Sequence, residues 1–226
     1  MVFTANGGLV LDGKAIVPNF RCPERQGETP YFQAYFEGLK ARGLIADVHR
    51  LPASIAFEGA GDCLWDGARE IFWMGYGQRS GADAAPHIAS YFGKPVVPVE
   101  LVDPRFYHLD TCLRPLPKGQ IVYFPAAFST AAHAEIVARA GAQNLIPVEE
   151  ADATVFACNN VAFSNHIVLS SASPALRARL EALGYQVHAT PLWAFHRSGG
   201  SALCLTLRLD QRASAAHAAG AKKTAA

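Results

Sequence analysis

Four short clusters in this chain carry side chains able to do chemistry, and they lie far apart. Phe3-Thr4-Ala5-Asn6-Gly7-Gly8 places an amide, which both donates and accepts, ahead of a glycine pair. Phe57-Glu58-Gly59-Ala60-Gly61-Asp62 sets two carboxylates around three small residues. Such a pair suits a bound cation or a base with its orienting partner, and the small residues let a ligand approach the backbone. Phe106-Tyr107-His108-Leu109-Asp110-Thr111 reads as a strand, so His108 and Asp110 project from one face as an oriented acid–base group. In the last cluster, Gly199-Gly200 precedes a strand-like run, Ala202 to Leu207, that carries Cys204. A thiol there needs an imidazole or a cation nearby to become a thiolate at neutral pH. Read alone, each cluster also has a structural explanation: a turn for Asn6, a solvated acidic loop for Glu58 and Asp62, a satisfied imidazole for His108, a buried thiol for Cys204. No Walker loop, GxGxxG or GxSxG elbow is present.

The elements that must position these clusters repeat. Val2 to Thr4 and Gly7 to Leu11, an Asp12-Gly13 turn and Ala15 to Val17 read as strand and hairpin. A helix over Thr29 to Arg42 follows, with Tyr31, Phe32, Tyr35, Phe36 and Leu39 on its apolar stripe, then a strand over Ile45 to Leu51. The pattern returns with a hairpin over Asp62 to Met74, a helix over Ser80 to Phe92 and a strand over Val96 to Leu101. It returns again from Phe106 to Val148, and a fourth time from Thr154 to Ala189. A fifth unit begins at Ala202 and stops. Units of about 45–55 residues are the size of blade-like arrays. Such units cannot bury an apolar face alone, so they pack around a common axis, where equivalent positions converge. An ordinary α/β sheet with even spacing is the alternative.

The 226 residues are 50% hydrophobic and 17% charged, enough for a large core, and the net charge of +1 favours neither nucleic acid nor a disordered acidic chain. No apolar run is long enough for a membrane helix, and no secretory leader opens the chain. Cys22, Cys63, Cys112, Cys158 and Cys204 show no metal-binding spacing and read as reduced thiols of a cytoplasmic protein, so neither metal nor cofactor is expected. Residues 1–210 are read as one catalytic domain and residues 211–226 as a disordered, Ala-rich tail.

Taken in order, the motifs resemble the guanidine-modifying, or pentein, superfamily. The likeness rests on Asn6 near the first hairpin, Glu58-Gly59-Ala60-Gly61-Asp62, Gly77-Gln78-Arg79-Ser80, His108-Leu109-Asp110, and Gly199-Gly200 ahead of Cys204, and it covers about Met1 to Leu209. It implies an α/β propeller of ββαβ units around a pseudo-fivefold axis. It also implies a hydrolase acting on the guanidino C–N bond of arginine or a methylated arginine through a thiouronium on Cys204. By the same resemblance His108 is the acid and base, and Glu58 orients it and contacts the guanidinium. Asp110 is a second guanidinium ligand, and Arg79 holds a substrate carboxylate. Asn6, Asp62 and Phe57 complete the substrate-binding candidates. An amidinotransferase and a non-catalytic pentein binding protein are the alternatives. Asn6 stands where deiminases usually carry Asp, which is similar to arginine dihydrolases. Family members usually have more chain before this motif, and that segment helps complete the fifth unit. A truncated start, an exposed edge, and lower solubility or a homodimer are therefore expected. The expected partner is a small guanidino compound, with no nucleic acid and no membrane.

Overall fold

A computed structural model describes residues 2–213. The expected tail beyond residue 213 lies outside the described residues. Among the described residues twelve strands form four three-stranded sheets, each in sequence order. The first holds β1 (Leu9–Leu11), β2 (Lys14–Val17) and β3 (Asp47–Arg50). The second holds β4 (Cys63–Asp66), β5 (Ile71–Tyr76) and β6 (Val96–Glu100). The third holds β7 (Leu113–Pro115), β8 (Ile121–Tyr123) and β9 (Leu145–Pro147), and the fourth β10 (Val161–Phe163), β11 (His166–Leu169) and β12 (Gln186–Ala189). In each sheet the first two strands are an antiparallel hairpin, and the third joins parallel to the second. A parallel partner needs a crossover, and the helix supplies it. After the short α1 (Pro23–Gln26), α2 (Thr29–Ala41) crosses the first unit, α3 (Ala84–Phe92) the second and α4 (Thr130–Ala140) the third. The short α5 (Glu150–Thr154) precedes the fourth unit, α6 (Pro174–Ala182) crosses it, and α7 (Trp193–His196) follows it.

Local chemistry explains the boundaries. Asp12 and Gly13 both take positive φ, the turn that suits a two-residue hairpin. The Ser129 and Ser173 hydroxyls cap α4 and α6 by accepting from the Ala132 and Leu176 N–H groups. β4 and β5 read as apolar runs because both faces are covered.

The units meet through the turns that open them, and five hydrogen bonds close a ring. The Ala60 N–H donates to Gly8 O at 2.9 Å, and the Leu109 N–H to Asp62 Oδ1 at 3.1 Å. Asn159 Nδ2 donates to Asp110 O at 3.1 Å, and the Leu203 N–H to Asn159 O at 3.3 Å. The Ala5 N–H then donates to Cys204 O at 3.1 Å, joining the fifth position to the first. This is the expected pseudo-fivefold α/β propeller. Among the described residues no fifth three-stranded sheet forms. Residues 211–213 run beside the first hairpin, where the Asp12 N–H donates to Gln211 O at 2.9 Å.

Several local expectations need correction. Leu109–Thr111 is a 3₁₀ turn, not a strand. Thr111 Oγ1 folds back on His108 O at 2.6 Å, a local bond that competes with extension. Residues 202–205 form a turn where a strand was expected, with the Thr206 N–H donating to Leu203 O at 2.9 Å. Thr154 ends α5 and is not in a strand, and Val2 to Thr4 pair with no sheet. The helix expected from Ser80 starts at Ala84, because Ser80 is committed to Glu58 and Asp62. On α2, Phe32, Phe36 and Leu39 are buried, whereas Tyr31 and Tyr35 face solvent.

Candidate active site

The turn chemistry that misled the strand assignments is what assembles the site. A strand would spread its residues along the propeller, whereas each tight turn points one side chain at the axis. Cys204, His108, Asn6 and Arg79 line one cavity of about 310 Å³ with Arg25, Tyr107 and Gly199. Glu58 and Asp110 are fully buried directly behind His108 and Cys204.

His108 Nε2 lies 2.7 Å from Glu58 Oε2, the geometry of an imidazole N–H donating to a carboxylate. Among the described residues Nδ1 makes no hydrogen bond. The second Glu58 oxygen accepts from the Arg21 N–H at 3.2 Å. Burial would push Glu58 up, but the hydrogen bond and charge of His108, with the charge of Arg79, hold it below the ordinary carboxylate value. Burial would push His108 down, yet Asp62, Glu58 and Asp110 outweigh it and hold its proton more tightly than usual. Arg79 Nη1 stands 3.6 Å from Glu58 Oε2, and its guanidinium lies 4.8 Å over the Tyr107 ring.

The Cys204 thiol faces two partners. Its S–H donates to Asp110 Oδ2 at 3.3 Å, and Asn159 Nδ2 donates to the sulfur at 3.1 Å. Burial first, and then the Asp110 carboxylate, push this thiol well above its ordinary value. Burial likewise raises Asp110. Asn6 is held by Arg25 Nη1 donating to its Oδ1 at 2.7 Å, and by its own Nδ2 donating to Glu58 O at 3.1 Å. Those two bonds fix which way the amide points.

Two expected ligands sit deeper. Asp62 is buried, accepts from Ser80 Oγ at 2.6 Å and from the Leu109 N–H, and so sets the turn that carries His108 and Asp110. Burial raises its carboxyl to about 6, against the lowering pull of His108 and Ser80. Phe57 is wholly buried in the core with Leu9 and Phe72 and does not line the cavity. Its backbone pairs with Asn19 and anchors the residue before Glu58.

Arg25 and Asn159 were not foreseen. Asn159 opens the fourth unit, so its place in the repeat was the signal. Its Oδ1 also accepts from the Ser201 and Cys204 N–H groups, at 3.2 and 3.1 Å, which holds the turn that carries Cys204. Arg25 sits in a four-residue helix whose sequence gives no sign of a site.

Gly59 is constrained by the same closeness. Its φ is +63°, and a Cβ there would meet Asn6 O and Gly8 O at 2.8 Å. Gly59→Ala is expected to cost more than about 2 kcal/mol in urea unfolding and to shift Glu58, lowering activity.

The bifunctional arginine dihydrolase/ornithine cyclodeaminase AgrE of Nostoc sp. is 44% identical over 211 residues, which cover 93% of this chain and 29% of that protein. The N(G),N(G)-dimethylarginine dimethylaminohydrolase of Mycobacterium tuberculosis is 40% identical over 209 residues, 92% of this chain and 66% of that one. The chain thus spans only 29% of the length of the first curated relatives it matches. A substrate-bound crystal structure of the N-terminal domain of ArgZ, an arginine dihydrolase from the ornithine–ammonia cycle in cyanobacteria, superposes with a TM-score of 0.90 at 43% identity, covering 95% of this chain and 77% of that one. Among the described residues no helix is long and apolar enough to cross a membrane. A family model described as N,N dimethylarginine dimethylhydrolase, eukaryotic, matches residues 1–210, and the chain belongs to that family within the guanidine-modifying pentein superfamily.

Proposed function

We propose that this chain is a cysteine-dependent hydrolase of the guanidino C–N bond, of arginine dihydrolase type. The observation that carries the reading is the pairing of Cys204 with Asp110 and of His108 with Glu58 around one cavity. A guanidinium is a delocalised cation and a poor electrophile. Asp110 and Glu58 hold its charge and fix its plane. Arg79, which pairs with Glu58 at 3.6 Å, gives that place to the substrate and turns to its carboxylate, beside Arg25 at the cavity mouth. As the cation draws Asp110 away from the S–H, the Cys204 proton passes to solvent, and the thiolate sulfur adds to the central carbon. The tetrahedral species collapses as His108 protonates the departing nitrogen, and ammonia leaves. A thiouronium remains on Cys204. His108 next takes a proton from water, which attacks the same carbon, and the C–S bond breaks to give the ureido product. A second cycle on that product releases ammonia and carbon dioxide and leaves ornithine. Across both cycles arginine and two waters give ornithine, carbon dioxide and two molecules of ammonia. The relatives AgrE and ArgZ, whose names carry this activity, support the choice. The five free thiols fit a reducing compartment, and the cytoplasm is the proposed location.

Acid quenching during turnover of arginine, followed by peptide mass spectrometry, is expected to show an adduct on the Cys204 peptide equal to arginine less ammonia. Turnover with no adduct on Cys204 would overturn the proposal.

Asn6 is proposed to permit the second cycle. A neutral amide there spares the neutral ureido product an extra charge beside Glu58. Asn6→Asp adds that charge, favours the cation over the neutral compound and removes the donation to Glu58 O. The ornithine-to-citrulline ratio, measured by chromatography, is expected to fall by about tenfold or more, since unit charges at contact exchange more than a few RT even when partly screened.

A further inference from the structure

We infer that the molecule carries a second small-molecule site, for a carboxylate with an apolar body, in a cavity that meets the catalytic one only through the ring of turns. This cavity has a volume of about 920 Å³ and shares no lining residue with the catalytic cavity. The same turns serve both: Asn6 and Cys204 face the catalytic side, while their neighbours Ala5 and Leu203 face the other.

Two features select the ligand. The first is a pair of donors. Arg114 Nε and Trp65 Nε1 both belong to residues lining this cavity, and both are buried with no acceptor among the described residues. A buried donor left unmade costs about 1–3 kcal/mol, more for a charged group, so an acceptor is called for. The second is charge. Arg114, Arg208 and Arg212 line the cavity against one acid, Asp210, which Arg208 already engages at 2.9 Å. Arg114 makes no ion pair among the described residues, and burial, with the like charge of Arg208, brings its guanidinium down to about 10 despite the pull of Asp110. The remaining walls, Val10, Leu64, Leu116 and Val161 among them, are apolar. A guanidinium and an indole N–H among apolar walls fit a carboxylate on a hydrophobic body better than a hydrated inorganic anion.

The site communicates with the thiol. Asp110 touches Cys204 through Oδ2, its Oδ1 is buried without a partner among the described residues, and Arg114 adds to His108 in offsetting its burial. An anion seated on Arg114 takes up that field and weakens Asp110 as a carboxylate. This coupling, which rests on the proposed hydrolysis, lowers kcat/KM for the guanidino substrate by about fivefold, the low end of measured couplings between sites.

The test uses benzoate, benzamide and sulfate as probes in calorimetric titrations of the 226-residue chain. Saturable benzoate binding is expected in the wild type and in Arg79→Ala, at least about tenfold weaker in Arg114→Met, and absent for benzamide. Should Arg114→Met fail to fold, Trp65→Phe keeps the ring, removes the donor and is expected to weaken benzoate several-fold. Binding lost in Arg79→Ala would place benzoate in the catalytic cavity and overturn the inference. Equal binding of sulfate, or indifference to both the Arg114 and Trp65 variants, would overturn it too. A protein that turns over no guanidine still reports the binding result, so failure of the proposed activity is seen separately. Benzoate that binds but leaves kcat/KM unchanged removes the coupling.

Discussion

Cys204→Ser is expected to lower kcat by at least about 10³-fold while arginine binding stays within a few-fold of wild type, because a nucleophile's loss falls on the chemical step. Serine keeps the shape and can still donate to Asp110. It offers an alkoxide far less accessible than a thiolate, and nothing in the cavity lowers a hydroxyl that far. The more telling part concerns when the thiolate forms. In the empty site burial and Asp110 push the thiol up, and the S–H bond to Asp110 at 3.3 Å is that of a thiol. A guanidinium between the carboxylates adds a cation beside the sulfur and draws Asp110 toward its own N–H groups. The Asn159 donor, at 3.1 Å, then stabilises the sulfur as its charge grows. On the proposed mechanism the thiolate is thus made by substrate. Neutral iodoacetamide is expected to alkylate Cys204 slowly in the free protein at neutral pH and faster when a small unreactive amidinium occupies the cavity. Rapid alkylation of the free protein at neutral pH would show a standing thiolate and sink substrate assistance.

The sequence made the repeat legible because its signals are local. Asp12-Gly13 is a hairpin turn whatever surrounds it, and the apolar stripe on α2 needs only its own period, although it cannot say that Tyr31 and Tyr35 end in solvent. The proposed catalytic set is readable for a different reason: Cys204, His108 and Glu58 are rare chemistry in a fixed order. What failed was the backbone beneath them. His108-Leu109-Asp110 alternates like a strand, yet Thr111 closes on His108 O and the Leu109 N–H goes to Asp62. That outcome depends on a carboxylate 47 residues away, which no local pattern contains. Phe57 shows the converse error, since motif neighbourhood suggested a ligand and packing made it core. Asn159 is within reach of the repeat, because the openings of the other four units each carry a candidate site residue. Arg25 is not, since only tertiary contact brings its guanidinium to Asn6.

His108→Ala is expected to lower kcat by about 10²–10⁴-fold, the range for loss of a positioned acid–base group. The pH profile separates this role from mere packing. Burial works against the imidazolium, but Asp62, Glu58 and Asp110 raise the folded value above the ordinary 6.5. His108 therefore keeps its proton to higher pH than a free histidine does, and can supply it as the acid that the departing nitrogen needs. Activity limited by that proton holds as pH rises past 6.5 and falls only through the raised value, so the alkaline limb of kcat lies above that of a free histidine. On the acid side Glu58 sits below its ordinary 4.5, so it stays charged until well into the acid range. Glu58→Gln removes the partner at 2.7 Å and a negative charge, while an amide oxygen still accepts from Nε2. The alkaline limb is expected to move down in this variant, and kcat to fall further at pH 8 than at pH 6. If the limb stayed in place while kcat fell equally at both pH values, Glu58 would serve only to orient the ring. The charge that keeps the proton would then have to come from Asp62 and Asp110, which stay buried behind it in the variant as in the wild type.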